Sequence, residues 1–154
     1  MAGYSRYADP EESSRAIGRE LPISFKQAIE ICRFVRGKRL DVAKRMLNEV
    51  MDMKRPVPYR KFRGSVGHRK GSVGPGRYPV KAARAILRTL ENAEANAEMN
   101  LKVASDEDLY VWHIASSKGM TQEAFFARAH GRTSPKRRET VNVEVILKMA
   151  ESDE

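Results

Sequence analysis

In this 154-residue sequence, the groups that invite a catalytic or nucleotide-binding reading are three histidines, one cysteine and one glycine-flanked basic hexapeptide. His68, His113 and His130 fall in a glycine-rich stretch, an apolar-aromatic run and a basic stretch. None has a carboxylate or cysteine at ligand spacing, so neither a metal site nor a Ser–His–acid triad is expected. Gly67-His68-Arg69-Lys70-Gly71-Ser72 resembles a phosphate loop only superficially. No lysine follows its second glycine and no strand is expected before it, so the strand–loop–helix cradle for a nucleotide is missing. Cys32 lies on an apolar stripe, where a buried, inert thiol is expected. As a lone cysteine it makes neither an internal disulfide nor a cysteine-based zinc site, which points to a reducing, cytoplasmic compartment. No carboxylate pair has a setting for general acid–base work, and no acidic cluster suits magnesium. An enzyme, a cofactor and a small-molecule substrate are therefore not expected.

The chemistry that remains is cationic. Lys and Arg number 29 against 20 Asp and Glu, a net charge of +9, and their distribution is uneven. Between Asp52 and Glu91 no acid occurs, yet Lys54, Arg55, Arg60, Lys61, Arg63, Arg69, Lys70, Arg77, Lys81, Arg84 and Arg88 do. A second acid-free window, between Glu123 and Glu139, holds Arg128, Arg132, Lys136, Arg137 and Arg138. The acids gather at 91–98, at 106–108 and in the tail Glu151, Asp153 and Glu154. Two such blocks in one small chain imply a polyanion partner rather than ordinary solvated faces. No apolar run approaches the roughly 18 residues of a membrane helix, and residues 1–10 are polar, so neither a membrane nor secretion is expected.

The elements that must carry these cations are legible from periodicity. Ser24 with Gln27 has the form of a capping box, and Phe25, Ala28, Ile29, Cys32 and Val35 follow on one stripe to a stop at Gly37. A second helix starts near Asp41, uses Ala43, Met46, Leu47 and Val50, and ends before Arg55-Pro56. Met46, Met51 and Met53 are read as packing residues. Residues 56–78 are rich in proline and glycine, and no regular element is expected there. A third helix over 79–100, opened by Pro79, buries Ala83, Ile86, Leu87, Leu90, Ala93, Ala97 and Leu101. It also carries a row of Asn92, Asn96 and Asn100, which either donates to sugars and phosphates or is simply solvated.

Residues 109–115 and 141–147 read as antiparallel strands, and a short strand at 4–7 is expected to join them. Tyr110 and Trp112 share one face, read as core packing ahead of base stacking. The 22 residues of 118–139 are far too many for a tight hairpin loop, and apart from Phe125 and Phe126 they hold almost nothing a core would use. Those two rings stack on bases or on each other. If the segment continues as two strand legs it projects about 35 Å and needs something outside the protein to lie on. The expected architecture is a single α+β domain over 1–154, with three helices on a small antiparallel-containing sheet. Two basic extensions leave it, a loop at 56–78 and a hairpin arm at 119–139. Cations mixed with small residues in the arm suit phosphate contacts and shape recognition of folded RNA.

In order along the chain, Ser24-Phe25-Lys26 to Val35-Arg36-Gly37-Lys38, Pro56-Val57-Pro58-Tyr59, Gly76-Arg77-Tyr78-Pro79 with Lys81-Ala82, Leu90-Glu91-Asn92-Ala93 with Asn96-Ala97, Arg128-Ala129-His130-Gly131-Arg132 and Val143-Glu144-Val145 resemble the universal large-subunit ribosomal protein twenty-two family, in its archaeal and eukaryotic form. None of these segments is specific alone; the ordered set spans nearly the whole chain. The resemblance implies a non-catalytic protein bound to large-subunit rRNA and neighbouring large-subunit proteins, whose arm helps line the nascent-peptide exit tunnel. By position it implies that Arg128, Arg132, Lys136, Arg137 and Arg138 act in the arm, against rRNA or the tunnel and its nascent peptide. Lys38, Arg39, Arg77, Lys81, Arg84 and Arg88 would meet rRNA from the domain, and Arg60, Lys61, Arg63, Arg69 and Lys70 are candidates in the long loop. That loop is longer than the bacterial connection, and the tip, read as Met120-Thr121-Gln122-Glu123, is less basic than one pressed wholly on phosphate. The rival is a DNA-binding regulator, because the helices at 24–36 and 41–53, joined through Gly37, have the outline of a helix-turn-helix.

Overall fold

The computed structural model describes residues 4–71, 73–101 and 109–149; the acids at 106–108 and 151–154, and Ser72, lie outside them. Strand β1 (Ser13–Leu21) leads into helices α1 (Phe25–Val35) and α2 (Leu40–Met51). Three short strands follow, β2 (Val57–Pro58), β3 (His68–Arg69) and β4 (Gly74–Arg77), then helix α3 (Val80–Leu101) and the long strands β5 (Leu109–Ala127) and β6 (Thr133–Met149). The architecture is α+β, with three helices on one face of a sheet ordered β1-β6-β5 and a long hairpin arm continuing from it.

Ala28, Ile31, Cys32 and Val35 put the buried stripe of α1 at the expected spacing, with Ile31 in place of Ile29, which is only half-buried. Ser24 takes the extended N-cap conformation, but its side chain makes no capping hydrogen bond, so the capping box is not formed. Gly37, at φ +72°, ends the helix, and the turn is tied to the sheet by backbone bonds of 2.8 Å from Gly37 to Val111 and from Val111 to Lys38. In α2, Leu40, Ala43, Met46, Leu47 and Val50 are buried. Met53 lies beyond its end, 65% exposed, and is not a packing residue. These helices and α3 cover Val141, Val143, Val145 and Leu147, alternate residues of β6 that form the centre of the core.

The edge strand is 13–21, whereas Tyr4–Tyr7 contains no strand. β1 is held by close approach to α3, and its small residues make that approach possible. A Cβ at Gly18 would lie 2.7 Å from Thr89 Oγ1, the Ser14 hydroxyl donates to the Ala93 carbonyl, and Asn96 Nδ2 donates to the Arg15 carbonyl at 2.9 Å. One member of the asparagine row is thus structural, while Asn92 and Asn100 are exposed.

Residues 56–78 are ordered into a second small sheet, β2-β4-β3, against expectation. Val57 and Tyr59 are buried in the core, and Glu30, 1% exposed on α1, adds a polar anchor. Its carboxylate accepts the backbone N–H groups of Arg60 (3.2 Å), Lys61 (2.8 Å) and Phe62 (2.8 Å), pinning the start of the segment to the helix. Tyr110 and Trp112 are half-buried on the face away from the helices, outside the core. A bulge between Val111 and His113 shifts the alternation there, and the Arg6 and Lys148 charges lie 5.5 and 5.0 Å from the Trp112 ring centroid. No helix among the described residues is long and apolar enough to cross a membrane.

Candidate nucleic-acid interface

Of the sixteen cations expected to meet RNA, all are exposed except Lys136, which is half-buried because its ammonium lies 4.4 Å from the Phe126 ring centroid. They form separate zones. Lys81, Arg84 and Arg88, at i, i+3 and i+7, share one face of α3 and rim a 520 Å³ depression with Leu21, Ile23 and Asn92. The small sheet carries Arg60, Lys61, Arg63, Arg69, Lys70 and Arg77. Two of these also brace it: Arg69 Nε donates to the Gly76 carbonyl at 3.0 Å with its guanidinium 5.0 Å from the Tyr78 ring, and Arg77 donates to the Ser65 carbonyl at 3.3 Å. Arg39 pairs with Asp41 at 3.6 Å and belongs to the α1–α2 turn.

Lys38 and Arg60 come together around a 590 Å³ depression whose rim also holds Arg33, Arg36, Arg45 and Arg55. None of these four was among the cations expected to meet RNA. Arg55 stands in the first acid-free block, whereas Arg33, Arg36 and Arg45 lie exposed along α1 and α2 in a stretch interrupted by Glu30, Asp41 and Glu49.

The third zone is the arm. Its legs pair from Thr121↔Glu139 to Ala127↔Thr133, and the turn is Arg128 to Arg132, with His130 at φ 59° and Gly131 at φ 65°. Two left-handed residues in succession make the turn that matches strand twist, and Gly131 takes that conformation without a Cβ penalty. The tip is therefore the basic pentapeptide Arg128-Ala129-His130-Gly131-Arg132; Met120 to Glu123 belong to the shaft. Successive strand residues point to opposite faces, so Phe125 and Phe126 do not stack on each other. One face presents Gln122, Phe126, Arg128, Arg132, Ser134, Lys136 and Arg138, with no acid. The other presents Glu123, Phe125, Pro135, Arg137 and Glu139, where Arg137 Nε meets Glu123 at 3.2 Å and Lys118 meets Glu139 at 3.3 Å. Of the five arm cations expected to meet rRNA or the tunnel, the register places Arg137 on the face opposite the other four.

The remaining chemistry is structural. Cys32 is buried, and burial pushes its thiol up to about 12, so it is no nucleophile at neutral pH. His68 and Arg69 form a strand of the small sheet rather than a phosphate loop. Among the described residues no cluster of His, Cys, Asp and Glu could hold a metal. Ser5, His113 and Glu144 do meet, with His113 Nε2 3.0 Å from both the Ser5 hydroxyl oxygen and Glu144 Oε1. Hydroxyl and carboxylate share one ring nitrogen, whereas a triad needs them on opposite nitrogens, so the cluster is a latch. It fastens the N-terminal segment to the outer face of the sheet, with the Ser5 hydroxyl donating to Glu144 Oε1 and the Ser5 N–H to Oε2 at 3.0 Å.

Burial pushes the Glu144 carboxyl up, but the Ser5 hydroxyl and amide, with His113, outweigh it and hold the group below its usual 4.5. A lowered carboxyl contributes stability that is full above 4.5 and is lost as pH falls through the folded value. Acidification below 4.5 is therefore expected to release residues 4–8 before the core unfolds. Trp112 fluorescence should register the departure of Arg6, and Ser5→Ala should move that transition to higher pH. A pH-independent signal in both chains would refute the latch.

The start of α2 does not favour the helix-turn-helix rival, since its first turn offers Asp41 rather than a base-reading side chain. Residues 16–148 match the family model described as ribosomal protein L22p/L17e. The chain is 48% identical over 146 residues to the large ribosomal subunit protein uL22 of Methanocaldococcus jannaschii, covering 94% of this chain and 92% of that one. It is 47% identical over 148 residues to the uL22 of Picrophilus torridus (96% and 97%), and 45% identical over 147 residues to that of Methanococcus vannielii (94% and 95%). With a helical layer on a three-stranded sheet and a long hairpin arm, the chain belongs to the ribosomal protein L22p/L17e family, and is a structural protein of the large ribosomal subunit, not an enzyme.

Proposed function

We propose that the chain binds large-subunit rRNA through its basic zones, and that its arm helps line the nascent-peptide exit tunnel in the cytoplasmic ribosome. Neighbouring large-subunit proteins are further partners, and the nascent peptide passes near the arm. The observation that carries this reading is the arm. It is a hairpin projecting roughly 30 Å from the sheet, without a core, whose one face bears Arg128, Arg132, Lys136 and Arg138 and no acid. Such a face repels itself until phosphates neutralise it, and guanidinium forks bridge adjacent phosphates without reading base sequence. Its mechanism is charge neutralisation with shape fit. Sedimentation of a native lysate through a sucrose gradient, before and after a high-salt wash, tests it. Co-migration with the large subunit through the wash is expected; a peak at the top of the gradient would reject ribosomal rRNA as the working partner.

A further inference from the structure

A concavity of 580 Å³ lies between α1 and the small sheet, lined by Phe34, Arg55, Pro58, Tyr59, Arg60 and Arg63. That volume is within the range of about 300–1,000 Å³ found for sites that take small organic groups. Two features of its wall do not fit a merely solvated dent. Tyr59 is only 5% exposed, and its buried hydroxyl has no hydrogen-bond partner among the described residues. A buried orphan hydroxyl is destabilising unless something else satisfies it, and Tyr59 is one of the residues that line the concavity. The second feature is the pairing of flat apolar surface with cations. Phe34 and Pro58 also line the adjoining depression, where Arg33 joins Arg60. Arg55 is steadied by Glu49 at 3.1 Å, and Glu30, the acid nearest this wall, already accepts three backbone N–H groups.

We propose that this concavity receives a single nucleotide splayed out of folded RNA, its base on Phe34 and Pro58, a polar atom on the Tyr59 hydroxyl and its phosphates among Arg33, Arg60 and Arg63. The proposal rests on the rRNA reading and extends it from a charged surface to a built site. A base has the π face that an aromatic side chain stacks on, and the flanking phosphates supply the negative charge that the rim lacks. A duplex groove does not fit, since its bases stay stacked inside the helix, away from Phe34.

The test uses the full chain and isolated large-subunit rRNA, with Tyr59→Phe and Phe34→Leu as variants and UV crosslinking of the wild-type complex. Tyr59→Phe removes the orphan hydroxyl, so the free protein is expected to melt at the same temperature or higher while binding about fivefold more weakly, the loss of one hydrogen bond. Phe34→Leu keeps an apolar side chain against the core and should lose about tenfold. Crosslinks should map to the peptides carrying Phe34 and Tyr59. If the wild type binds rRNA and crosslinks only through the arm and α3, with both variants binding as tightly as it does, the nucleotide site is overturned and the rRNA reading stands. If the wild type prefers no rRNA over other polyanions, the rRNA reading falls and the proposal with it.

Discussion

Neutralising Lys136 and Arg138 together, as Gln, is expected to weaken binding to large-subunit rRNA by roughly 25- to 60-fold at 0.1 M salt, whereas Arg137→Gln, between them in sequence, leaves it nearly unchanged. The arithmetic is that of counterion release. A phosphate contact contributes about 0.7 to 0.9 to the slope of log K against log salt, or about fivefold to eightfold at 0.1 M, and two contacts multiply. The double variant should therefore also flatten that slope by about 1.4 to 1.8. Arg137 sits on the other face of the arm, already paired with Glu123 at 3.2 Å, and its loss removes only an exposed cross-strand ion pair. Binding titrations over a salt series check this directly. A slope that falls as much for Arg137→Gln as for either neighbour would show that both faces meet phosphate, and the one-sided docking of the arm would be wrong.

The second large effect is on the fold rather than on RNA. Glu30→Ala leaves the N–H groups of Arg60, Lys61 and Phe62 without their acceptor, in a segment whose remaining hold is the burial of Val57 and Tyr59 and the packing of Phe62 and Val66 on the core. Bonds to a charged acceptor are worth about 1.5–3 kcal/mol each, and the freed amides recover part of that from water, so a loss of about 3 kcal/mol is expected. Glu30→Gln should fall between. Its carbonyl can still take the two N–H groups that Oε1 accepts, but its amide meets the Arg60 N–H donor to donor. Urea unfolding gives the magnitude, and amide exchange at residues 60–62 gives the location. Unchanged protection at those amides in Glu30→Ala would mean that the segment is ordered by something else.

That same carboxylate explains where the sequence was readable and where it was not. Helical stripes on α1, α2 and α3 and alternation at 141–147 are set by many apolar residues at once, so a misjudged Ile29 or Met53 did not move an element. Residues 56–78 are held in part by an acid in the middle of α1, about thirty residues earlier in the chain, and no local pattern of glycine and proline announces a partner that far away. β1 escaped because Ser14, Ala16 and Gly18 are chosen for smallness against α3 and carry little apolar signal, while the aromatics Tyr4 and Tyr7 drew the strand to the wrong segment. At Trp112 a bulge shifted the face, which alternation cannot foresee. The candidate site was legible as a charge distribution, since that needs only the order of charged residues along the chain. Its division into faces was not, because it depends on register, and register depends on placing the turn at His130-Gly131 rather than near Met120.

β6 is the middle strand of the main sheet, between β1 and β5, although it follows β1 by more than a hundred residues. While the chain is being made, the helices can collapse onto one another and β1 can lie on α3, but β1 has no strand partner until β6 is free. The sheet, and with it the rooted arm, closes in one late event. A nascent or prematurely terminated copy therefore has no sheet in which to root its arm, and only finished molecules compete for a place in a growing particle.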